Sequence, residues 1–414
     1  MYNQTFNEKI KQLKENGGYR EFITIDRICK NYPHAQAKII ENNIETTYPV
    51  VVWCSNDYLG MSQNEFINDA MIQAIKSHGA GSGGSRNIGG SHSFYSKLEA
   101  TLAEWHNKEA ALVYPTGYGS NDATLQCLLR LDSDFLILSD EKNHASIING
   151  ICSTKNERRV FKHNNVDHLK SLLDEIPKER KKIIVFESIY SMDGDIAPIE
   201  KIVALAKQYN ALTFLDEVHA IGMYGPRGAG IAAEIGISDD IDIFQGTMAK
   251  AIGVIGGYIA ASALLIDIVR SFATGFIFTT SLPPAVVAAC LASIEHLKTS
   301  DTERNKLHAK TLILKEALLN SHLPIMSSTQ THIIPVLVGD SLKCKEASKR
   351  LLKKHGVYLQ AINSPTVKVG TERFRINITP NHTEKDIIHL TEALVETFKY
   401  FKIPFSNEKF KNLA

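Results

Sequence analysis

LDEVHAIG, residues 215–222, closes the apolar run 212–215 with an acid. A short apolar run bounded by polar residues reads as a buried strand. Asp216 then stands at the strand's carboxyl end, where open α/β sheets place their ligand sites. His219 follows three residues later. A carboxylate buried in such a place must be paired or hydrogen-bonded. The plainer alternatives are an acid and a histidine that cap a helix or bind a metal.

Working outward, similar runs fall at 111–114, 135–138, 183–186, 241–244 and 258–261. Between two of them, 198–209 carries Ile199, Ile202, Val203, Ala206 and Tyr209 at helical spacing, with Pro198 suited to the first turn. Strand, helix and strand in repetition predict an α/β fold with a mostly parallel central sheet and helices on both faces. Pro283 and Pro284 mark a boundary. Beyond it come a long helical stretch at 285–320, a strand at 332–338, a helix at 343–355, strands at 357–362 and 373–379, and a helix at 383–400. This pattern predicts a smaller C-terminal α/β domain. A short helix is expected at 7–15. The expected division is an N-terminal segment 1–50, a large domain 51–290 and a small domain 291–414.

The 414 residues carry a net charge of +1, which gives no field for nucleic acid. Six cysteines lie scattered without a CxxC pair, so neither a zinc knuckle nor a disulfide framework is indicated and no metal is expected. MYNQTFNEKIKQLKEN has no apolar signal core, and the most apolar stretch, 281–293, is too short for a membrane span. The expected location is the cytoplasm.

GTMAKAIG, residues 246–253, follows the next apolar run. Lys250 stands among small and apolar residues, where an amine has a depressed pKa and can form a Schiff base; a surface lysine is the plain alternative. Thr247 offers a hydroxyl to a phosphate. An acid at one strand end and a lysine at the next point to pyridoxal phosphate, whose protonated ring nitrogen pairs with an aspartate. YPTGYGSND, 114–122, is a strand followed by a Gly-containing turn and a helix start, which suits a phosphate at Thr116, Gly117 and Tyr118. In LSDEKNHASI, 138–147, His144 sits at a helix start, placed to stack on a ring, to donate a proton, or simply to bond backbone. HGAGSGGSRNIGGSH, 78–92, follows a helical segment rather than a strand, so it reads as a substrate-touching loop and not a dinucleotide fingerprint. In GTERFRIN, 370–377, Arg373 and Arg375 share a strand face, and guanidinium is a bidentate clamp for carboxylate. Solvated or structural arginines are the alternative.

Together these residues resemble the α-oxoamine synthase family of fold-type I pyridoxal-phosphate enzymes, from about residue 19 to residue 401. The resemblance is carried by YREFITIDR (19–27), CSNDYLGM (54–61), GSGGSRNIGG (81–90), FESIYSMDGDIAPI (186–199), TFLDEVHAIGMYGPRGAGIA (213–232), FIFTTSLPP (276–284) and SPTVKVGTERFR (364–375). The family joins an amino acid to an acyl-CoA with loss of CO2. These stretches resemble the branch that joins glycine to succinyl-CoA.

By that resemblance, Lys250 would carry the cofactor and act as acid and base. Asp216 would pair with the ring nitrogen, His219 would bond the phenolic oxygen, and His144 would stack over the ring. Gly117, Tyr118 and Thr247 would hold the phosphate, with Thr279 and Thr280 of a second copy in a homodimer with shared active sites. Ser191 would border the cofactor. Arg375 would clamp the glycine carboxylate, with Asn56 nearby. Arg20, Ser85 and Asn87 would meet the succinyl carboxylate, and Ser139, Arg158 and Thr366 would touch substrate. Ser85 and Arg158 stand where this branch has threonine and lysine, and Ser364 replaces an aromatic residue.

Overall fold

Apolar runs that lack alternation form strands buried on both faces. The computed structural model, which describes residues 2–41 and 43–405, contains several. Lys182–Glu187 and Ile243–Thr247 are buried along their whole length. They lie in a seven-stranded sheet with the order Ala110–Tyr114, Gly257–Ala261, Ile243–Thr247, Leu212–Asp216, Lys182–Glu187, Leu136–Asp140, Arg158–Phe161. The five strands from Ile243–Thr247 to Arg158–Phe161 run parallel. Gly257–Ala261 runs against both its neighbours. Helices Gly117–Leu131, Ala145–Cys152 and Ala263–Phe272 cover one face. Ala123, Ile147, Ile151, Ile266 and Val269 from these helices pack with Leu112, Ile137, Ile183, Phe214 and Ile259 from the strands. A fully buried side chain of this size contributes roughly 1.5–3 kcal/mol.

This sheet belongs to one of two compact units, Leu59–Ser191 with Ile196–Arg304. The other joins the N-terminal residues through Tyr58 to Met192–Asp195 and to the chain from Asn305 onward. It holds two small sheets. Thr24–Asp26, His34–Glu41 and Ile44–Val52 form an antiparallel set, and Val357–Tyr358 adds in parallel to Val51 and Val52. Arg373–Asn377 is flanked by Ile333–Leu337 and Ala361–Ile362. Helix Ser341–His355 starts at Asp340, whose carboxylate accepts from Lys343 N at 2.8 Å, and stops at Gly356, in the left-handed region at φ 61°. Helix Glu384–Phe401 opens on a reciprocal box between Thr383 and Asp386.

The mostly parallel α/β sheet is as expected. The helix expected at 7–15 spans Tyr2–Glu15. The single helix expected at 285–320 is two, Pro284–Thr299 and Thr302–Asn320. Ser300 is extended between them, and its hydroxyl accepts from Thr302 N at 3.3 Å, which starts the second helix afresh. The strand expected at 357–362 is two short pieces in different sheets. No described helix is long and apolar enough to cross a membrane.

Candidate active site

Parallel strands bring their carboxyl ends to one edge, and their register aligns Glu187, Asp216 and Gln245 there. All three are buried. Asp216 Oδ1 accepts from Val218 N and Oδ2 from Asn121 Nδ2, each at 2.9 Å. Both donors are neutral, although a buried carboxylate calls for a cation. Burial pushes the Asp216 carboxyl up, opposed by these two hydrogen bonds and then by the charges of Lys250 and His144. An acid, an amine and an imidazole therefore feel one another at the strand ends. A protonated ring nitrogen would supply the missing cationic donor, so the residues present fit pyridoxal phosphate. His219 is buried three residues past Asp216. Lys250 is half-buried in the turn after Ile243–Thr247.

His144 caps helix Ala145–Cys152, its Nδ1 accepting from Ser146 N at 3.2 Å. Its backbone N–H donates to Glu187 Oε1 at 2.6 Å. Burial, then the nearby Asp216 charge, holds the Glu187 carboxyl well above its usual range. The Tyr118 and His144 rings form a T-shaped pair, 6.4 Å between centroids and 76° between planes.

The turn into helix Gly117–Leu131 is capped by Thr116, whose hydroxyl accepts from Gly119 N at 2.9 Å. A Cβ at Gly117 would sit 2.9 Å from Thr247 Oγ1, so glycine is required for this close approach. Gln245 Nε2 donates to Ser120 Oγ at 2.8 Å and Ser120 Oγ to Gly117 O at 2.9 Å, which braces the turn. The Thr247 hydroxyl donates to Gly256 O at 2.7 Å, so its proton is engaged within the protein.

In the glycine-rich loop, Ser85 Oγ donates to Asn87 Oδ1 at 2.8 Å, and Ser85 pairs with Thr280 as an isolated bridge. Gly90 admits the Ser281 hydroxyl, which a Cβ would meet at 2.1 Å. Thr280 is exposed, and the Thr279 hydroxyl donates to Gly275 O at 2.6 Å. Ser139 is buried, accepting from Asn143 Nδ2 at 2.9 Å. Arg158 is exposed at the start of the edge strand, and Ser191 is half-buried.

The unit that holds the chain ends has its own cluster. Arg373 and Arg375 are both buried, which excludes solvated arginines. Arg373 Nη1 binds buried Asp193 at 2.5 Å and Met192 O at 3.1 Å, a structural ion pair. Arg375 has neutral partners instead: Nη1 donates to Asn56 Oδ1 at 2.8 Å and Nη2 to the Tyr58 hydroxyl. Its Nε is buried without a hydrogen-bond partner. A guanidinium desolvated with an open Nε–H is prepared for a carboxylate. In the same unit Arg20 Nη2 donates to Thr366 Oγ1 at 3.1 Å.

Asn121, Ser146, Glu187, Gln245 and Tyr58 were not singled out from sequence. Asn121, Ser146 and Gln245 lie inside or beside stretches quoted for chemistry, Tyr58 and Glu187 inside stretches quoted for resemblance, and Glu187 also ends a buried strand.

The model of the family "Aminotransferase class I and II" matches residues 48–394. The 5-aminolevulinate synthase of Bradyrhizobium diazoefficiens is 48% identical over 413 residues, covering 100% of this chain and 99% of that one. The 5-aminolevulinate synthase of Paracoccus denitrificans is 49% identical over 404 residues, covering 97% and 98%. Among solved structures, the Sphingomonas wittichii serine palmitoyltransferase is 27% identical with a TM-score of 0.87, covering 97% of this chain and 98% of that one.

Proposed function

The chain belongs to the class I and II aminotransferase family and, within it, to the 5-aminolevulinate synthases, and from that premise we propose that it condenses glycine with succinyl-CoA. The products are 5-aminolevulinate, CoA and CO2, and the reaction feeds haem biosynthesis. Its cofactor is pyridoxal phosphate. The observation that carries the reading is buried Asp216, given only neutral donors and set within electrostatic reach of Lys250 and His144.

When bound, pyridoxal phosphate supplies an aldehyde for an amine and a ring that accepts electrons. Asp216 keeps the ring nitrogen protonated, and His219 bonds the phenolic oxygen. The turn at Gly117 and Tyr118, with Thr247, receives the phosphate, and Ser191 borders the ring. Thr279 and Thr280 of a second copy complete the phosphate contacts, so the working form is a homodimer. Lys250 Nζ takes a proton from the glycine α-carbon and later returns one. Arg375, held by Asn56, receives the glycine carboxylate. The α-carbon joins the succinyl carbonyl carbon as the CoA sulfur leaves, with His144 at the acyl oxygen. The bond from the α-carbon to the glycine carboxylate then breaks, CO2 departs, and that carbon is where Lys250 Nζ returns its proton. Arg20, Ser85 and Asn87 meet the far carboxylate of the succinyl chain.

Lys250→Ala should lose turnover by about 10²-fold or more, the scale of a lost general acid–base, while melting as a folded protein. A panel of acyl-CoAs offered with glycine, scored by product mass, tests the acyl assignment. Preference for a chain without a terminal carboxylate would overturn it. Turnover retained by Lys250→Ala would remove the amine from its role.

A further inference from the structure

We infer that His144 works as a neutral imidazole with its one proton on Nε2, and that Asn121 and Ser146 are positioning residues that hold this tautomer by linking Nδ1 to Asp216. The assignment follows from counting hydrogens along one buried chain. An ionised carboxylate only accepts. Asp216 Oδ2 therefore receives a hydrogen from Asn121 Nδ2, at 2.9 Å. This contact fixes the amide, because the flipped form would turn Asn121 Oδ1 toward the carboxylate. The second hydrogen of Nδ2 goes to Ser146 Oγ at 3.0 Å. Ser146 Oγ accepts from the amide and keeps one hydrogen and a second lone pair, 2.8 Å from His144 Nδ1, so the direction of that contact is set by the backbone donor beside it. The backbone N–H of Ser146 reaches the same nitrogen at 3.2 Å. An Nδ1 that receives these donors presents its lone pair, so the imidazole proton stands on Nε2.

The link from Asp216 through Asn121 to Ser146 is shielded from water, while His144 at its end is exposed. Asn121 is 2% exposed, Ser146 1% and Asp216 4%. The groups around His144 act on a second proton in opposite senses. The helix that it caps turns backbone N–H groups toward it, which disfavours a cation. Lys250 repels a second proton and Asp216 attracts it. Glu187 binds the backbone N–H of His144, and the Tyr118 ring makes a T-shaped pair with the imidazole. Although His144 is open to solvent on one side, desolvation by the surrounding protein outweighs the Asp216 charge and lowers its basicity. His144 is thereby an Nε2–H donor to an oxygen and not a base. Only the identity of that oxygen, the acyl oxygen, rests on the proposed function.

Histidine side-chain nitrogen NMR on the pyridoxal-phosphate-loaded enzyme tests this. The chain has 15 histidines, so the His144 signals are identified by their loss in His144→Asn. At neutral pH the expected result is an unprotonated, acceptor-type Nδ1 and a protonated Nε2. Asn121→Asp turns the link around, since the introduced carboxylate accepts from Ser146 Oγ and leaves that oxygen to accept from the ring; the acceptor-type Nδ1 signal should be lost. Ser146→Ala keeps the Asn121 contact to Asp216 and removes the hydroxyl but not the backbone donor of residue 146, so the acceptor-type Nδ1 signal should weaken and shift without being lost. A protonated Nδ1 in the unaltered enzyme overturns the inference, as does an unchanged His144 signal in both variants. If Asn121→Asp fails to fold, the unaltered enzyme and Ser146→Ala decide. An active synthase with Nδ1 protonated sinks this inference alone. The assigned tautomer in a protein that never forms product sinks the proposed function alone.

Discussion

Two arginines on one strand show how far a residue's role is set by what lies beyond its own segment. Arg373 is paired with Asp193, 180 residues away, while Arg375 faces Asn56 and Tyr58. Removing one partner of a buried ion pair leaves an uncompensated charge, at a cost of about 3–5 kcal/mol. Arg373→Ala should therefore lower the denaturant midpoint sharply. Arg375→Ala removes a buried cation that has no carboxylate partner among the described residues, so its stability should change little. Its glycine KM should instead rise by about 30–100-fold, the equivalent of roughly 2–3 kcal/mol for hydrogen bonds to a charged group. The reverse pattern, a stable Arg373→Ala and an unfolded Arg375→Ala, would exchange the two roles. Sequence alternation displays the shared face of these arginines. It cannot display Asp193 as the partner of one, and only resemblance chose between them.

At the scale of elements, the strands of the central sheet were legible because burial on both faces leaves continuous apolar runs, as in Lys182–Glu187. Arg158–Phe161 was missed because it is an edge strand with mixed exposure. His34–Glu41 was missed because only Ala35 and Ala37 are buried in it, which is too weak an alternation to read. The turn after Leu212–Asp216 carries a titration that no motif announces. Glu217 is buried and accepts from Ala232 N at 2.9 Å and Ile231 N at 3.2 Å. Burial outweighs these bonds and pushes its carboxyl up to about 7. An unfolded glutamate titrates near about 4.3. Between those values the folded protein holds a proton that the unfolded chain releases. The contribution to stability is thus whole below about pH 4.3, falls through the window and is lost above about pH 7. Glu217→Gln does not titrate. The stability difference between variant and unaltered protein should shift in favour of glutamine by about 4 kcal/mol across the whole of that window, roughly 2.5 kcal/mol of it between pH 5 and pH 7.5. Denaturant midpoints at pH 5 and pH 7.5 measure it, and parallel curves would mean that Glu217 is not buried as a charge.

At the scale of the whole molecule, the unit that holds the chain ends is assembled from pieces too far apart in sequence for composition to join. Val51 N donates to Gly356 O at 2.8 Å, Trp53 N to Tyr358 O at 3.0 Å, and Asn377 N to Trp53 O at 2.7 Å. His382 Nε2 lies 3.1 Å from Val52 O, across 330 residues, and its ring packs on Trp53 at 4.0 Å between centroids. Trp53 is fully buried in this setting. The carboxylate-ready geometry of Arg375 is likewise supplied by Asn56 and Tyr58, from the other end of the chain. Without residues 2–58 the strand Arg373–Asn377 would leave backbone and guanidinium groups without partners, and each such buried group costs about 1–3 kcal/mol. Residues 305–414 expressed alone should therefore show the narrow amide dispersion of an unfolded chain, and a separate peptide of residues 1–58 should restore dispersed signals. A fragment 305–414 that folds cooperatively by itself would show that the N-terminal residues decorate this unit rather than build it. Arg375 would then owe its readiness for a carboxylate to its own strand alone.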